Sequence, residues 1–265
     1  MNSKSSVILL CSLILAGFLG SANAQTPATA SAPASSSIML IPSVVSQYMF
    51  RGVRLGGLSF QPSLEYDYGN LAVGVWANTP IADKVPGVSD PEIDPYGSYT
   101  FAVNDSFSIV PGFTLYTYPR ADIGAGIYRS TFEPSLAVNY TVAGVKFTPK
   151  LYYDCIMKGA TYELTAAYAL PLKDLGTELD FTATAGTYKL TDAARNLSPA
   201  LKNYGDYYLV GVAMPFQLTK ESKLLLGFAY TEGSGNFYKI SGLPKLENPA
   251  AVGRGVATLT YTYTF

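Results

Sequence analysis

The C-terminal segment of the chain alternates between apolar and hydroxyl side chains. Leu259, Tyr261, Tyr263 and Phe265 occupy the odd positions, and threonine occupies every even position in 258–264. Side chains of a β-strand point alternately to opposite faces, so a period of two indicates a strand with one apolar and one polar face. The pattern predicts an all-β protein whose strands separate apolar surroundings from wet ones.

The same alternation recurs along most of the chain, most clearly at residues 146–154, 162–168 and 179–186. After residue 24, no segment has the roughly 18 consecutive apolar residues that a membrane-spanning helix needs. We predict about twelve strands, within a range of about 10 to 14. They lie near residues 38–52, 60–68, 71–78, 91–102, 106–118, 127–140, 145–155, 160–170, 177–188, 206–218, 223–232 and 252–265.

The connections between these strands alternate in length. The short ones are 69–70, 103–105, 141–144, 171–176 and 219–221. The longer ones are 53–59, 79–90, 119–126, 156–159, 189–205 and 233–251. Transmembrane barrels have short periplasmic turns, longer outer loops and an even number of strands. We therefore predict a single antiparallel transmembrane β-barrel over residues 37–265.

The N-terminus has the pattern of a cleaved signal peptide over residues 1–24. Lys4 precedes an apolar run, and Ala22 and Ala24 form a small-x-small cleavage pattern. Residues 25–36 contain almost nothing that can be buried, which predicts a disordered periplasmic tether. Together with the barrel, these features predict a protein exported to the outer membrane of a Gram-negative bacterium.

Nearly all charged residues of the predicted strands share one parity, which assigns them to the lumen because hydrocarbon cannot satisfy polar groups. Nine acids and five bases give this face a moderate acidic excess. The candidates for lining a pore are Arg51, Glu65, Asp67, Glu92, Asp94, Arg129, Glu133, Lys146, Lys150, Asp154, Glu163, Glu178, Asp180 and Arg254.

A lumen of this kind predicts an outer-membrane channel for passive diffusion of small hydrophilic solutes, with a weak preference for cations. Barrels of about eight strands are filled by side chains and those of sixteen or more leave a wide channel, so twelve strands leave both outcomes open. The first alternative is a non-conducting structural or adhesive barrel, with the partner surface on loops 189–205 and 233–251. These loops are also candidates for folding inward and constricting a pore. The second is a soluble barrel that carries an apolar ligand, which predicts an apolar interior and a polar exterior.

The composition argues against an enzyme and against a cofactor. The chain has no histidine, which removes most nucleophilic and general-base arrangements and nearly every zinc site. The carboxylates Asp90, Glu92 and Asp94 stand at alternate positions, but no Gly-rich calcium loop accompanies them, so we interpret them as an acidic strand end. We expect no catalytic, cofactor or metal site.

The predicted partners are membrane lipid, the barrel assembly machinery and small solutes. A net charge of −1 gives no indication of a nucleic-acid partner, and the sequence is compatible with a homo-oligomer. Tyr261, Tyr263 and Phe265 resemble the terminal aromatic signal that the assembly machinery reads. Anchoring of the last strand at the membrane interface is an equally open role for Phe265.

Aromatic residues recur near the predicted strand ends, and we interpret them as anchors at the membrane interfaces. They are Trp76 and the pairs Tyr48/Phe50, Tyr116/Tyr118 and Tyr261/Tyr263.

Three prolines, Pro111, Pro134 and Pro149, fall inside predicted strands, where each removes a ladder hydrogen bond. We therefore expect β-bulges or shorter strands at these positions.

Four motifs, in order and with fitting spacing, resemble the TorF-type porins, a family of barrel proteins with little assigned function. They are Ser46 to Val53 (SQYMFRGV), Gly74 to Asn78 (GVWAN), Glu92 to Tyr96 (EIDPY) and Tyr116 to Pro119 (YTYP). Gln47 replaces the acid usual in the first motif, and Pro95 interrupts the third. The resemblance implies an outer-membrane channel of unknown substrate and implies no binding residues.

Overall fold

The computed structural model describes residues 35–85, 88–125, 128–192 and 201–265, so the expected signal peptide and nearly all of the expected tether lie outside it. The strands are β1 (Ser36–Val45), β2 (Tyr48–Phe50), β3 (Val53–Gly56), β4 (Ser59–Tyr68), β5 (Leu71–Pro80), β6 (Glu92–Tyr99), β7 (Phe101–Asn104), β8 (Phe107–Thr117), β9 (Ser130–Val142), β10 (Val145–Asp154), β11 (Gly159–Leu172), β12 (Thr177–Asp192), β13 (Leu201–Gln217), β14 (Ser222–Lys239), β15 (Leu246–Glu247) and β16 (Arg254–Thr264). Two single-turn 3-10 helices lie at Ile123–Ala125 and Lys173–Leu175. In the described ranges, no helix has the length and apolarity to cross a membrane.

The strands form a closed antiparallel barrel of twelve, in which β6 and β7 together count as one. Each barrel strand pairs with the next along the chain, and β1 pairs with β16 to close the ring. In this closing ladder, Val44 faces Leu259 and Leu40 faces Tyr263. The predicted all-β, twelve-stranded antiparallel barrel is therefore confirmed.

The outside of the barrel is apolar, and many of its inward-facing side chains are polar or charged. Leu64, Val210 and Phe228 are about half exposed on the outer wall, whereas Gln61 and Asn203 are fully buried inside. An apolar band of this extent is unfavourable in water and favourable in hydrocarbon. A soluble barrel around an apolar ligand would have the opposite distribution, so this alternative is wrong.

The connections are sorted by length between the two ends of the barrel. The two-residue turns 69–70, 105–106 and 143–144 lie at the same end as the described start of β1 and the end of β16. The longer connections, among them 46–58 and 240–253, lie at the other end. This arrangement agrees with short periplasmic turns and longer outer loops.

The first outer loop departs from the sequence prediction, because β1 ends at Val45 rather than near residue 52. Residues 48–56 instead form the hairpin β2–β3, which folds into the barrel and which we call the lumen hairpin. Its turn residues Arg51 and Gly52 both have left-handed φ values, of 45° and 74°. Two such residues in succession fit the tight type I′ turn of a two-residue hairpin.

The three strand prolines do not produce the expected bulges, since no register shift occurs in the ladders that contain them. Each of these prolines lies instead at a position where the pairing of its strand with one of the two neighbouring strands ends or is interrupted. The β6–β8 ladder ends at Gly112, next to Pro111, and the β9–β10 ladder ends next to Pro134 and is interrupted at Pro149. Proline is tolerated at these positions because no carbonyl group of the neighbouring strand has to accept a hydrogen bond from the N–H that proline lacks.

Parts of the longest predicted outer loops are strand. β12 continues to Asp192 and β13 begins at Leu201, so residues 189–192 and 201–205 of the predicted loop 189–205 are strand, and residues 193–200 lie outside the described ranges. β14 continues to Lys239, and the rest of the predicted loop 233–251 packs partly against the lumen hairpin. The inward constriction therefore comes mainly from the first outer loop.

Candidate functional site

A buried ion pair fixes the tip of the lumen hairpin to the barrel wall. Arg51 donates to both carboxylate oxygens of Glu133, at 2.9 and 2.8 Å, and Tyr116 Oη donates to the same carboxylate at 2.8 Å. The guanidinium also lies over the rings of Phe50 and Tyr152, at 4.6 and 4.7 Å from their centroids. A bidentate pair with its remaining faces covered in this way is strongly directional.

A second set of hydrogen bonds holds the base of the hairpin. Glu92 accepts from Tyr48 Oη at 2.7 Å and from Tyr118 Oη at 2.9 Å. The Tyr48 ring packs against Trp76 with its centroid 5.9 Å away. Because Glu92 is buried, each phenol hydroxyl replaces solvent that the carboxylate has lost.

Removing one of these hydroxyls has a predictable cost. Tyr118→Phe leaves a buried oxygen of Glu92 without its donor, and we expect the free energy of unfolding to fall by about 1–3 kcal/mol. Urea titration of the barrel folded in lipid vesicles measures this change. Tyr153→Phe is the matched control, because Tyr153 lies exposed on the outer wall, and it should change the free energy by less than about 0.5 kcal/mol.

Apolar packing holds the hairpin inside the barrel. The hairpin side chains Tyr48, Phe50, Val53 and Leu55 pack into one buried cluster with three residues of the barrel wall. Those three residues are Trp76, Leu201 and Tyr238. The hairpin is therefore part of a packed core and not a loosely lying loop.

The last outer loop covers the hairpin from the other side. The backbone N–H of Arg54 donates to Ala250 O at 2.7 Å, and that of Val252 donates to Gly52 O at 3.3 Å. The side chain of Arg54 forms an ion pair with Asp83. These contacts tie the hairpin to two neighbouring outer loops.

One further ion pair in the outer loops joins Lys84 and Asp90, at 3.6 Å. Burial raises the pKa of the Asp90 carboxyl, and the Lys84 ammonium opposes this rise. The pair therefore lies where solvent is partly excluded, next to the hairpin strand residue Gly56, which forms a β-bridge with Lys84.

A polar cavity of about 300 Å³ lies inside the barrel next to the hairpin. Its lining extends from Gln61 and Trp76, near the hairpin, to Glu65 and Ser98, nearer the short turns. Most of its lining residues carry hydroxyl, amide or charged groups, and apolar residues such as Ile41, Trp76 and Val110 supply more of the wall area. The polar lining residues also include Ser43, Ser63, Tyr96, Thr114, Ser135, Lys150, Thr258 and Thr260. A cavity of this size and polarity suits water and small hydrophilic molecules.

The structure brings most of the predicted pore-lining residues together, in three groups. Arg51, Glu92, Asp94, Glu133 and Asp154 are buried around the hairpin. A second group lies in the lumen farther from the hairpin and comprises Glu65, Lys150 and Glu163. The third group is half-buried near the short-turn end and comprises Asp67, Lys146, Glu178 and Asp180. Arg129 and Arg254 do not join them, because both are exposed at the outer end.

Several of the buried carboxylates have a structural partner. Thr117 N donates to Asp94 at 2.9 Å. Asp154 accepts from the backbone N–H groups of Ile156 and Met157, at 2.8 and 2.7 Å, which fixes the turn after β10. These carboxylates lie in the packed region around the hairpin, and Glu65 is the predicted lumen acid that lines the cavity.

The interpretation of Tyr48, Phe50, Tyr116, Tyr118 and Trp76 as membrane anchors is wrong, since all five are buried inside the barrel. The sequence contains an indication of this inward direction, because Tyr116 has the parity of the inward-facing positions of β8. Inward-facing glycines provide room for such rings. A Cβ on Gly74 would lie 2.6 Å from the Tyr96 ring, and a Cβ on Gly186 would lie 2.3 Å from the Tyr207 ring.

The fold is shared with known barrels. The NanC porin matches with a TM-score of 0.53 at 8% identity, over 85% of this chain and 98% of NanC. The KdgM porin matches with a TM-score of 0.50 at 14% identity, over 86% of this chain and 99% of KdgM. At such low identity the likeness extends to the fold alone.

Sequence comparison gives a family but no function. No curated protein matches the chain. The profile of a family described as bacterial proteins of unknown function, Gcw_chp, matches residues 26–235, which is most of the chain. The chain therefore belongs to the Gcw_chp family.

Proposed function

We propose that this protein is an outer-membrane channel for passive diffusion of small hydrophilic solutes. The observation that carries the proposal is the polar cavity of about 300 Å³ inside a closed barrel with an apolar outer wall. A barrel filled only for structural reasons has no need for a cavity lined by hydroxyl, amide and charged groups. The likeness of the fold to the NanC and KdgM porins and the resemblance to TorF-type porins support the same proposal.

The proposal includes a location and an orientation. The protein is exported by its signal peptide and inserted in the outer membrane of a Gram-negative bacterium, with its short turns in the periplasm. The lumen hairpin then enters from the outside and narrows the path. Solutes pass between the hairpin and the wall or during displacement of the hairpin.

Single-channel recording in a planar bilayer under a salt gradient tests the proposal. We expect discrete conductance steps from the purified wild-type protein. An absence of steps at all voltages would contradict a channel, and a clear anion preference would contradict the weak cation preference expected from the sequence.

Two substitutions in the cavity test the origin of selectivity. Glu65 and Lys150 both line the cavity and carry opposite charges. Because fixed charges concentrate counter-ions in a low-dielectric passage, Glu65→Gln should lower the ratio of cation to anion permeability and Lys150→Gln should raise it. Reversal potentials under the same gradient measure both ratios.

Glu221→Gln is the control for these substitutions, because Glu221 is exposed in the short turn 218–221 outside the lumen. It should leave the reversal potential unchanged. Shifts of the same sign from Glu65→Gln and Lys150→Gln would contradict the assignment of selectivity to this cavity.

A non-conducting barrel is the second candidate, and the buried apolar cluster around the hairpin favours it. In that case the buried ion pair and the apolar cluster serve rigidity. A barrel without the hairpin separates the two candidates. Stable conductance from the hairpin-free barrel supports a channel that the hairpin restricts. A hairpin-free barrel that does not conduct supports the non-conducting structural barrel.

A further inference from the structure

Lysines project from the outside wall at the outer ends of three adjacent strands, β12, β13 and β14, and from the following loop. The four are Lys189, Lys202, Lys239 and Lys245, and we call them the outer lysine cluster. All four are exposed. The strand positions next to them, such as Asn203 and Tyr238, are buried inside the barrel, so the lysines of the strands point away from the lumen.

Aromatic rings organise two of these ammonium groups. The rings of Tyr204 and Phe237 are stacked, with centroids 4.9 Å apart and planes inclined by 16°. Lys189 Nζ lies 5.5 Å from the Tyr204 centroid, and Lys245 Nζ lies 4.1 Å from that of Phe237. The stack places one cation beside each ring on a continuous outer surface.

The other two ammonium groups lie on directly opposed positions. Lys202 and Lys239 are partners in the β13–β14 ladder and share the outward face. Like charges at directly opposed positions of a sheet are destabilising unless an anion lies between them. Asp206 and Glu247 lie at the edges of the patch, yet within the described ranges none of the four lysines takes part in an ion pair.

The position along the barrel indicates what kind of anion reaches the cluster. Below it, Val210 and Phe228 belong to the exposed apolar band, and Tyr208 and Tyr230 both donate to Glu232 at 2.8 Å at the outer margin of that band. Lys202 lies beyond Tyr208 along β13. With about 3.3 Å per residue and a tilt of about 40°, the cluster lies about 15 Å outside the band, among the sugars and head groups of the outer leaflet.

We propose that the outer lysine cluster binds the phosphate groups of a phosphorylated glycolipid in the outer leaflet. Each ammonium supplies up to three donors to phosphate oxygens, and the acyl chains of the same lipid lie against the apolar band below. The proposal depends on the outer-membrane location in the proposed function, but not on conduction.

The experiment measures binding of purified lipopolysaccharide to the full chain folded in a zwitterionic detergent. Each lysine near an anionic surface contributes about a fivefold change in affinity. Lys202→Gln with Lys239→Gln should therefore weaken binding by more than about tenfold, and substitution of all four lysines by more than about a hundredfold. Dephosphorylated lipopolysaccharide should bind the wild type as weakly as the intact lipid binds the fourfold variant.

The matched control changes Lys173→Gln and Lys220→Gln, two exposed lysines at the short-turn end, and should leave binding unchanged. Equal loss in this control would overturn the proposal, as would equal binding of the phosphorylated and dephosphorylated lipid. Equally tight binding of the deacylated, phosphorylated saccharide would overturn the lipid as the source of the anion. Conductance recorded on the same preparations shows separately whether the proposed channel function holds.

Discussion

Arg51→Ala should release the lumen hairpin and increase the conductance of the barrel severalfold. The substitution removes the partner of Glu133, whose carboxylate is 2% exposed and is then left as an uncompensated buried charge. Breaking a buried pair from one side typically costs about 3–5 kcal/mol, a large fraction of the stability of a domain. Hydration of Glu133 by water entering the lumen relieves this cost, and it requires the hairpin to move away. Planar-bilayer recording measures the conductance, and urea titration in vesicles measures the loss of stability.

Arg54→Ala is the matched control for this prediction. Arg54 lies on the same hairpin, but its carboxylate partner, Asp83, is 68% exposed. Exposed ion pairs contribute about 0–1 kcal/mol, so this variant should remain close to the wild type in both measurements. A change in conductance with Arg54→Ala but not with Arg51→Ala would contradict the role that we assign to the Arg51–Glu133 pair.

Gly52→Ala should prevent the hairpin from packing against the barrel wall, because the new Cβ would lie 2.3 Å from Gly233 Cα on β14. Both groups belong to the backbone, so relief requires a movement of the hairpin or of the barrel wall. The left-handed φ of 74° adds about 1–2 kcal/mol of local strain. We expect a conductance at least as large as that of Arg51→Ala, together with faster protease cleavage within residues 46–58.

Gly242→Ala isolates the contribution of the backbone conformation. Gly242 has a φ of 83°, similar to that of Gly52, but a Cβ built on it meets no atom within 4 Å. The backbone strain should therefore lower the stability of this variant, and its conductance should stay unchanged. If both variants behave alike, the close approach of the hairpin to β14 has no functional role.

The barrel was predictable because its signal is local. In β16 the alternation of threonine with apolar and aromatic residues indicates the period of two. The alternation of short and longer connections indicates which strand ends lie together at one end of the barrel. No distant contact is needed for these inferences. For the same reason the inward parity of Glu133 and Glu92 was correct, since it depends only on neighbours such as Phe132 and Ile93.

The hairpin was not predictable in this way. Residues 48–50 continue the apolar pattern of β1 and therefore look like its extension, and only the Arg51–Gly52 pair carries a turn signal. The partner of Arg51 is 82 positions away along the chain. Parity shows that Glu133 faces the lumen, but it cannot show which cation meets it there. The inward aromatic residues were missed because tyrosine fits a membrane interface and a wet lumen equally well.

A comparison of the wild type with a barrel whose residues 47–57 are replaced by a short Gly-Ser linker shows whether the lumen hairpin restricts a channel. Both proteins would be recorded as single channels in planar bilayers under identical salt and voltage. We expect small or brief conductance steps from the wild type and larger, long-lived steps from the hairpin-free barrel. A folded hairpin-free barrel that conducts no better than the wild type, or not at all, would contradict a channel restricted by the lumen hairpin.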